Sequence, residues 1–323
     1  MKPSSSSVLF AACLAIAAPA TTLAQGFPAK PLRLIVPFPA GGGSDIVGRI
    51  VAQELSERLG QQVVVENRAG AGGSIGTGAA VRADADGYTM VLASTSEIAV
   101  NPAIYPKLDY DTVKDLAPVG VVGTTPMVVI VPASSPAGTL GELVAMSKDR
   151  PGALNMASAG NGSFTHLAGE LFRSTNGLNW VHVPYKGTAP AVNDVAGGQM
   201  QVMFATLPGA SGLIGAGKVR PLAVSSAARA AAIPSVPTVR ESGFGYEVEY
   251  WYGLFVPSAT PPAVVSRLSA ALGEALKAPR LVDSLAKQGV TPGSAGAADF
   301  RDYVRAEFAK WGKVVKDSGA KVD

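Results

Sequence analysis

Few side chains in this 323-residue chain are spaced for covalent chemistry. Its two histidines, His166 and His182, stand sixteen positions apart without carboxylate pairs at ligand spacing, which makes no recognisable metal site. Gly72-Gly73-Ser74-Ile75-Gly76 fits the G-x-S-x-G nucleophile elbow. That elbow needs a strand directly before the serine, and residues 67–71 read as a glycine-rich loop. Residues 212–218 fit most of a P-loop, but Val219 stands where Ser or Thr must bind magnesium, and Arg220-Pro221 starts a strand where a helix is required. Residues 70–75 place Ile75 at the third glycine of the dinucleotide fingerprint. No cofactor and no metal is expected. A secreted serine hydrolase using Ser74 is the alternative from another class.

The chemistry that remains is anion recognition. Residues 37–45, Pro-Phe-Pro-Ala-Gly-Gly-Gly-Ser-Asp, follow an apolar run at 32–36 and lead into a helical pattern over 45–59. Strand, glycine loop and helix N-terminus bring free N–H groups and the positive end of a helix dipole to one point. Asp45 either caps that helix, worth about 0.3–1 kcal/mol, or meets a ligand polar group, and capping can organise the loop the ligand touches. Phe38 precedes the glycines, a position that favours the cleft. The device occurs again where 154–158 runs into Ala-Gly-Asn-Gly-Ser at 159–163, with Ser163 as N-cap and His166 in the first helical turn. His166 reads as a buried structural histidine or a cleft contact. In 183–190, Thr188 can cap a short helix, Tyr185 aims its hydroxyl into the cleft or satisfies it internally, and Lys186 reads as solvated. Two such loops, one per lobe, would face each other across a cleft as an anion clamp.

The elements that must position these loops alternate. Short apolar runs at 32–36, 63–66, 88–93, 127–131, 154–158, 200–204, 221–224 and 252–256 read as buried strands. Helices lie between them. One carries Ile46, Ile50, Val47, Val51 and Leu55. Another is capped by Thr260 and striped by Val264, Leu268, Leu272 and Leu276. The last is striped by Phe300, Tyr303, Val304, Phe308, Trp311 and Val315. The pattern predicts an α/β fold of two lobes, each a mostly parallel sheet flanked by helices. Segments 127–132 and 251–257 are the candidate crossing strands. Lobe one is placed at 25–124 plus 247–323, and lobe two at 125–246.

Composition bounds the setting. Residues 1–24 read as a secretory signal, with Lys2 as the only charge, an apolar core at 8–18 and cleavage after Ala24. The single cysteine, Cys13, lies inside that segment, so the exported chain has no disulfide, thiol nucleophile or thiolate metal site. The chain has 27 basic against 24 acidic side chains and no basic run, which excludes nucleic acid as a natural partner. A soluble protein of a bacterial periplasm is expected.

Four stretches then carry a resemblance. They are Pro37-Phe38-x-x-Gly41-Gly42-x-x-Asp45, Asn67-Arg68-x-Gly70-Ala71-Gly72-Gly73, residues 159–170 with Gly160, Asn161, Ser163, His166, Leu167 and Glu170, and Val183-Pro184-Tyr185-Lys186-Gly187. Asn101-Pro102-x-x-Tyr105 and the tail at 310–315 also fit. The chain resembles the Bug family, the extracytoplasmic solute-binding proteins of tripartite tricarboxylate transporters, over essentially its whole exported length. The resemblance implies a two-lobed, hinge-closing periplasmic binding fold, type II-like, that acts as a monomer. It implies a small organic carboxylate ligand held by loop amides, hydroxyls and waters, and membrane permease subunits as partners. It carries ligand contact to Phe38, Gly41, Gly42, Asp45, Ser94, Thr95, Ser158, Gly160, Asn161, Ser163, His166, Tyr185 and Thr206. A ligand sensor for a membrane kinase is the alternative use of the same fold. Two residues depart from the family pattern. Gln201 stands where Asp is frequent. Glu97 stands where small or uncharged residues are commoner, and as a loop charge it reads as solvated; facing the cleft, it would disfavour a second anion.

Overall fold

Strands with apolar faces on both sides need cover on both sides, and this chain supplies it by returning each strand through a helix. The computed structural model describes residues 26–105, 107–293 and 296–318; the leader and Cys13 lie outside them. The first lobe opens with β1 (Leu32–Val36), α1 (Gly43–Leu59), β2 (Val63–Asn67), a 3-10 turn (Ala71–Gly73), α2 (Ser74–Val81) and β3 (Thr89–Ser94). A wide helical turn (Ser96–Val100) and α3 (Asn101–Ile104) lead to β4 (Leu116–Pro132). The second lobe follows with α4 (Leu140–Asp149), β5 (Leu154–Ser158), α5 (Phe164–Thr175), β6 (Trp180–Pro184), α6 (Thr188–Ala196), β7 (Val202–Thr206), α7 (Leu207–Gly215) and β8 (Val219–Val224). The chain then returns through β9 (Glu249–Pro257), α8 (Pro262–Ala275), α9 (Pro279–Lys287), β10 (Thr291–Pro292) and α10 (Ala297–Ser318).

The strand order is β2-β1-β3-β9-β4-β7-β5-β6, with β8 and β10 also paired to β4. Pairs β1–β2, β1–β3, β5–β6 and β5–β7 are parallel, while every pair made by β4 or β9 is antiparallel. β4 joins the lobes. Its first part, through Pro126, lies against β9, and from Met127 on it lies against β7 and β8. The expected strand at 127–131 is therefore only the far end of a 17-residue strand. The second passage also differs from expectation. Among the described residues β9 pairs with β3 and β4, and the chain crosses just before it. There the Ser225 N–H donates to Met127 O at 2.9 Å, and the Val248 N–H donates to Ser225 O at 3.0 Å.

The core follows the apolar periodicity. Val47, Val51 and Leu55 of α1 are fully buried, while Ile46 and Ile50 are only half-buried. In the second lobe Phe172 gathers Trp180, Phe204, Phe244 and Tyr246 at centroid distances of 5.4–6.1 Å. Three expected details are corrected. Thr260 does not cap α8: Pro261 occupies the cap with ψ 135, and the buried Thr260 hydroxyl finds no partner among the described residues. Thr188 is the first residue of α6 rather than its cap, which is Gly187. On α10, Tyr303 and Phe308 are exposed, and Glu307 joins Phe300, Val304, Trp311 and Val315 on the buried face. Ser163 does cap α5, accepting the His166 N–H at 3.3 Å. Among the described residues, no helix is long and apolar enough to cross a membrane.

Candidate functional site

The parallel strands β1, β2, β5 and β6 deliver four loops to one side of the fold, and these loops line a single cleft of about 380 Å³. From the first lobe come Phe38 and Pro39, then 69–73, with Tyr105 beside them. From the second come 159–161 and 184–187. Each loop runs into the N-terminus of a helix, α1, α2, α5 and α6 in turn. Four positive dipole ends therefore stand behind the loops that line one space. This is the position, beyond the carboxyl ends of parallel strands, at which open α/β sheets bind ligands. Lys186, exposed at the rim, is the only charged side chain among the lining residues.

Asp45 organises this cleft from behind. Its carboxylate accepts the Gly41 N–H at 2.9 Å, Arg49 Nε at 3.0 Å and Asn67 Nδ2 at 3.0 Å. Asn67 Nδ2 also donates to Phe38 O at 2.9 Å, tying the first loop to the end of β2. The α1 cap itself is Gly42, without a side-chain bond. Burial pushes the Asp45 carboxyl up, but the hydrogen bonds from Arg49, Gly41 and Asn67 outweigh it and hold it below 3.8. The stabilisation is therefore present above that value and is lost as pH falls through the depressed one. Asp45→Ala is expected to lower stability by about 1–3 kcal/mol near neutral pH. Urea denaturation at pH 7 and pH 3 checks this, since the gap between variant and parent must shrink at the lower pH.

The other expected site residues sort into two groups. Phe38, Gly160, Asn161 and Tyr185 line the cleft, and Gly41 and Gly42 form the turn behind Phe38. The rest are buried behind the lining. Ser94 accepts or donates with Tyr250 at 2.6 Å, and Thr95 Oγ1 accepts the Trp251 N–H at 3.0 Å. Ser158 Oγ pairs with His182 Nε2 at 2.7 Å, and Ser163 Oγ donates to Gly160 O at 2.7 Å. The His166 ring stacks on His182 at 3.9 Å. Burial, with His166 second, brings His182 down to about 4, so that imidazole is neutral at pH 7. Thr206 Oγ1 is buried beside Gly43. The Tyr185 hydroxyl donates to Asp194 at 2.6 Å, within its own lobe. Gln201 binds the Asn155 N–H at 3.0 Å at the start of β5, the end away from the cleft.

Glu97 is not a solvated loop charge. It is fully buried, its Oε2 accepting the Ser94 N–H at 2.7 Å and the Ser94 hydroxyl, and its Oε1 has no partner among the described residues. Burial pushes its carboxyl up to about 8. Sequence reasoning named the 67–73 stretch and Tyr105 only as motif positions and not as cleft residues. Their glycine density and single aromatic were the available signal. Bonds already cross between the lobes. The Tyr105 hydroxyl donates to Asn161 O at 2.8 Å, the Phe164 N–H donates to Ser96 Oγ at 3.0 Å, and the Ser211 hydroxyl donates to Gln288 Oε1 at 2.8 Å. Ser74 opens α2 after a 3-10 turn, not after a strand, so it lacks the backbone of a nucleophile elbow.

Residues 47–320 match the family model described as the tripartite tricarboxylate transporter family receptor. The chain belongs to that receptor family. BugT of Bordetella pertussis is 38% identical to it over 97% of this chain and 96% of its own. Three solved structures share its fold. Rpa4515 of R. palustris with adipate has a TM-score of 0.89 at 34% identity, covering 92% of this chain and 100% of that one. The periplasmic binding protein BugD has a TM-score of 0.88 at 33% identity, covering 91% and 99%. MatC from Rhodopseudomonas palustris with bound malate has a TM-score of 0.85 at 30% identity, covering 90% and 100%. The family is one of receptors, and BugD within this group of similar proteins is a periplasmic binding protein.

Proposed function

We propose that this receptor captures a small organic carboxylate between its lobes in the periplasm, as a monomer. It then hands the acid to the membrane subunits of a tripartite tricarboxylate-type permease. The observation that carries the reading is the convergence of four helix N-termini on one cleft with no acidic side chain in its lining. Such a site holds a carboxylate by amides and dipoles rather than by an arginine clamp. The adipate and malate in similar proteins support the same class of ligand. The reading keeps lobe one at 25–124 plus 247–323, lobe two at 125–246 and export with cleavage after Ala24. It assigns no catalytic step. Closure is a hinge motion at β4 and at the Ser225–Val248 passage, driven by ligand contacts to both lobes.

A thermal-shift screen over dicarboxylates, citrate-like acids, aromatic acids and amino acids is expected to yield at least one acid that raises Tm. A ligand well above its Kd stabilises by about 2–4 kcal/mol. Asn161→Asp places an anion in the cleft wall and is expected to weaken that acid by at least about tenfold in calorimetry. No stabilising acid in the screen, or an unchanged affinity in the variant, would count against this cleft.

A further inference from the structure

Beneath the 70–73 loop lies a polar group that the carboxylate reading does not use. A Cβ placed on Gly73, whose φ is +93, would collide with Glu97 Oε1, so that oxygen presses directly on the back of a residue whose front lines the cleft. Glu97 is completely buried, and Oε1 has no hydrogen-bond partner among the described residues. Two other buried oxygens share this region, Asn101 Oδ1 behind Gly72 and the Tyr110 hydroxyl. An ionised carboxylate in such a place lacks both solvent and a countercharge.

Among the described residues, the side chains that the following elements bring beside it carry no countercharge. β3 contributes Ser94, and α2 contributes Thr77, whose hydroxyl donates to Gly73 O at 3.1 Å. α3 contributes Asn101, and the following loop contributes Tyr105 and Tyr110. β9 contributes Tyr250 and Tyr252. Burial pushes all four phenols up, so they stay neutral. From α10 the charged side chain buried among the described residues is Glu307, already engaged by Trp251, Trp311 and Lys310. Arg82 reaches Gly78 near Tyr110 but is exposed.

We propose that Glu97 sets the charge tolerance of the cleft: held neutral behind Gly73, it admits an anion against the 70–73 loop, and ionising it expels that anion. The inference rests on the carboxylate reading and adds to it a proton-linked specificity residue. A bound carboxylate on the front of the loop and an ionised Glu97 on its back would face each other across one residue of backbone. Ligand binding and Glu97 ionisation therefore exclude each other. With the Glu97 carboxyl near 8, affinity is constant below that pH and falls above it.

Calorimetry with adipate and with malate from pH 6.5 to 9.5 tests this, on the parent receptor and on Glu97→Gln. Both acids carry two charges throughout that window. The expected result is a parent affinity that weakens about tenfold per pH unit above pH 8, and a flat profile in the variant. At pH 8.5, binding to the parent should also take up a proton, read from buffers of different ionisation enthalpy, which needs no variant at all. A flat parent profile without proton uptake, or a parallel fall in Glu97→Gln, would overturn the role of Glu97 and leave the carboxylate reading intact. Absence of binding by both acids even at pH 6.5 would overturn the proposal for these dicarboxylates, and with it their place in the underlying reading.

Discussion

Gly43→Ala is expected to leave a folded receptor that no longer captures its ligand tightly. Gly43 begins α1, packed against the second lobe. A Cβ there would overlap the Thr206 hydroxyl and stand 3.1 Å from the Tyr252 hydroxyl and 3.2 Å from the Gly209 amide. Gly209 belongs to the first turn of α7, so the leading turns of α1 and α7 meet through two glycines. Within α1 alone, alanine is the better residue by about 1 kcal/mol. The strain falls on the contact between lobes, where overpacking costs about 1–3 kcal/mol. An opened hinge relieves that strain, and the closed state bears it, which converts to a loss of affinity of about 5- to 150-fold. Calorimetry with the acid found by screening measures the loss. Urea denaturation should show stability preserved, and small-angle scattering should show a larger radius with ligand present. An unchanged affinity would remove the α1–α7 contact from the closed state.

The glycine loops could be read from sequence because their geometry is local. An apolar run such as 32–36 or 154–158, then glycines, then helical spacing, dictates strand, turn and N-terminus without reference to the rest of the chain, and β1 and β5 occupy those residues. What depended on distant partners was not legible. β6 was missed because Trp180 alone in it is buried, so it has no apolar run to show. The first part of β4 carries Pro118, Gly120, Gly123 and Pro126, the vocabulary of a loop. Its register shifts around Gly120 and Gly123 explain how a strand accommodates them. Glu97 was misread for the same reason. A lone glutamate is solvated by default, and only tertiary packing of β3, α2, β9 and α10 removes its water. The cleft suffered least: its loops were recognisable one by one, whereas the sorting of Ser94, Thr95 and Ser158 into its supporting layer required the fold.

Glu307→Ala is expected to lower stability by about 2–6 kcal/mol, the other large effect available in this molecule. Glu307 stands where the α10 stripe calls for an apolar residue, between Val304 and Trp311. Its Oε2 accepts both Trp251 Nε1 at 3.1 Å and Trp311 Nε1 at 2.8 Å, while Oε1 meets the half-exposed Lys310 at 3.1 Å. The lysine contributes little, being screened by solvent. The indoles decide the outcome, because alanine strands two buried N–H donors, each worth about 1–3 kcal/mol when unsatisfied. Glu307→Gln keeps an acceptor oxygen in place and is expected to lose less than half as much. Urea midpoints with unchanged slopes would establish the order parent, Gln, Ala. A Glu307→Ala variant within about 1 kcal/mol of the parent would mean that the indoles find other acceptors. The carboxylate also reaches beyond its own lobe. Trp251 lies on β9, beside the hinge passage, and Trp311 packs edge-on against Phe164 at 4.7 Å, the first residue of the α5 helix that opens onto the cleft. Holding both indoles with one buried acceptor fixes α10 against the hinge strand and against the second lobe together. A loss of Glu307 should therefore loosen the cleft as well as the core, and ligand affinity in Glu307→Gln is the measurement that separates the two effects.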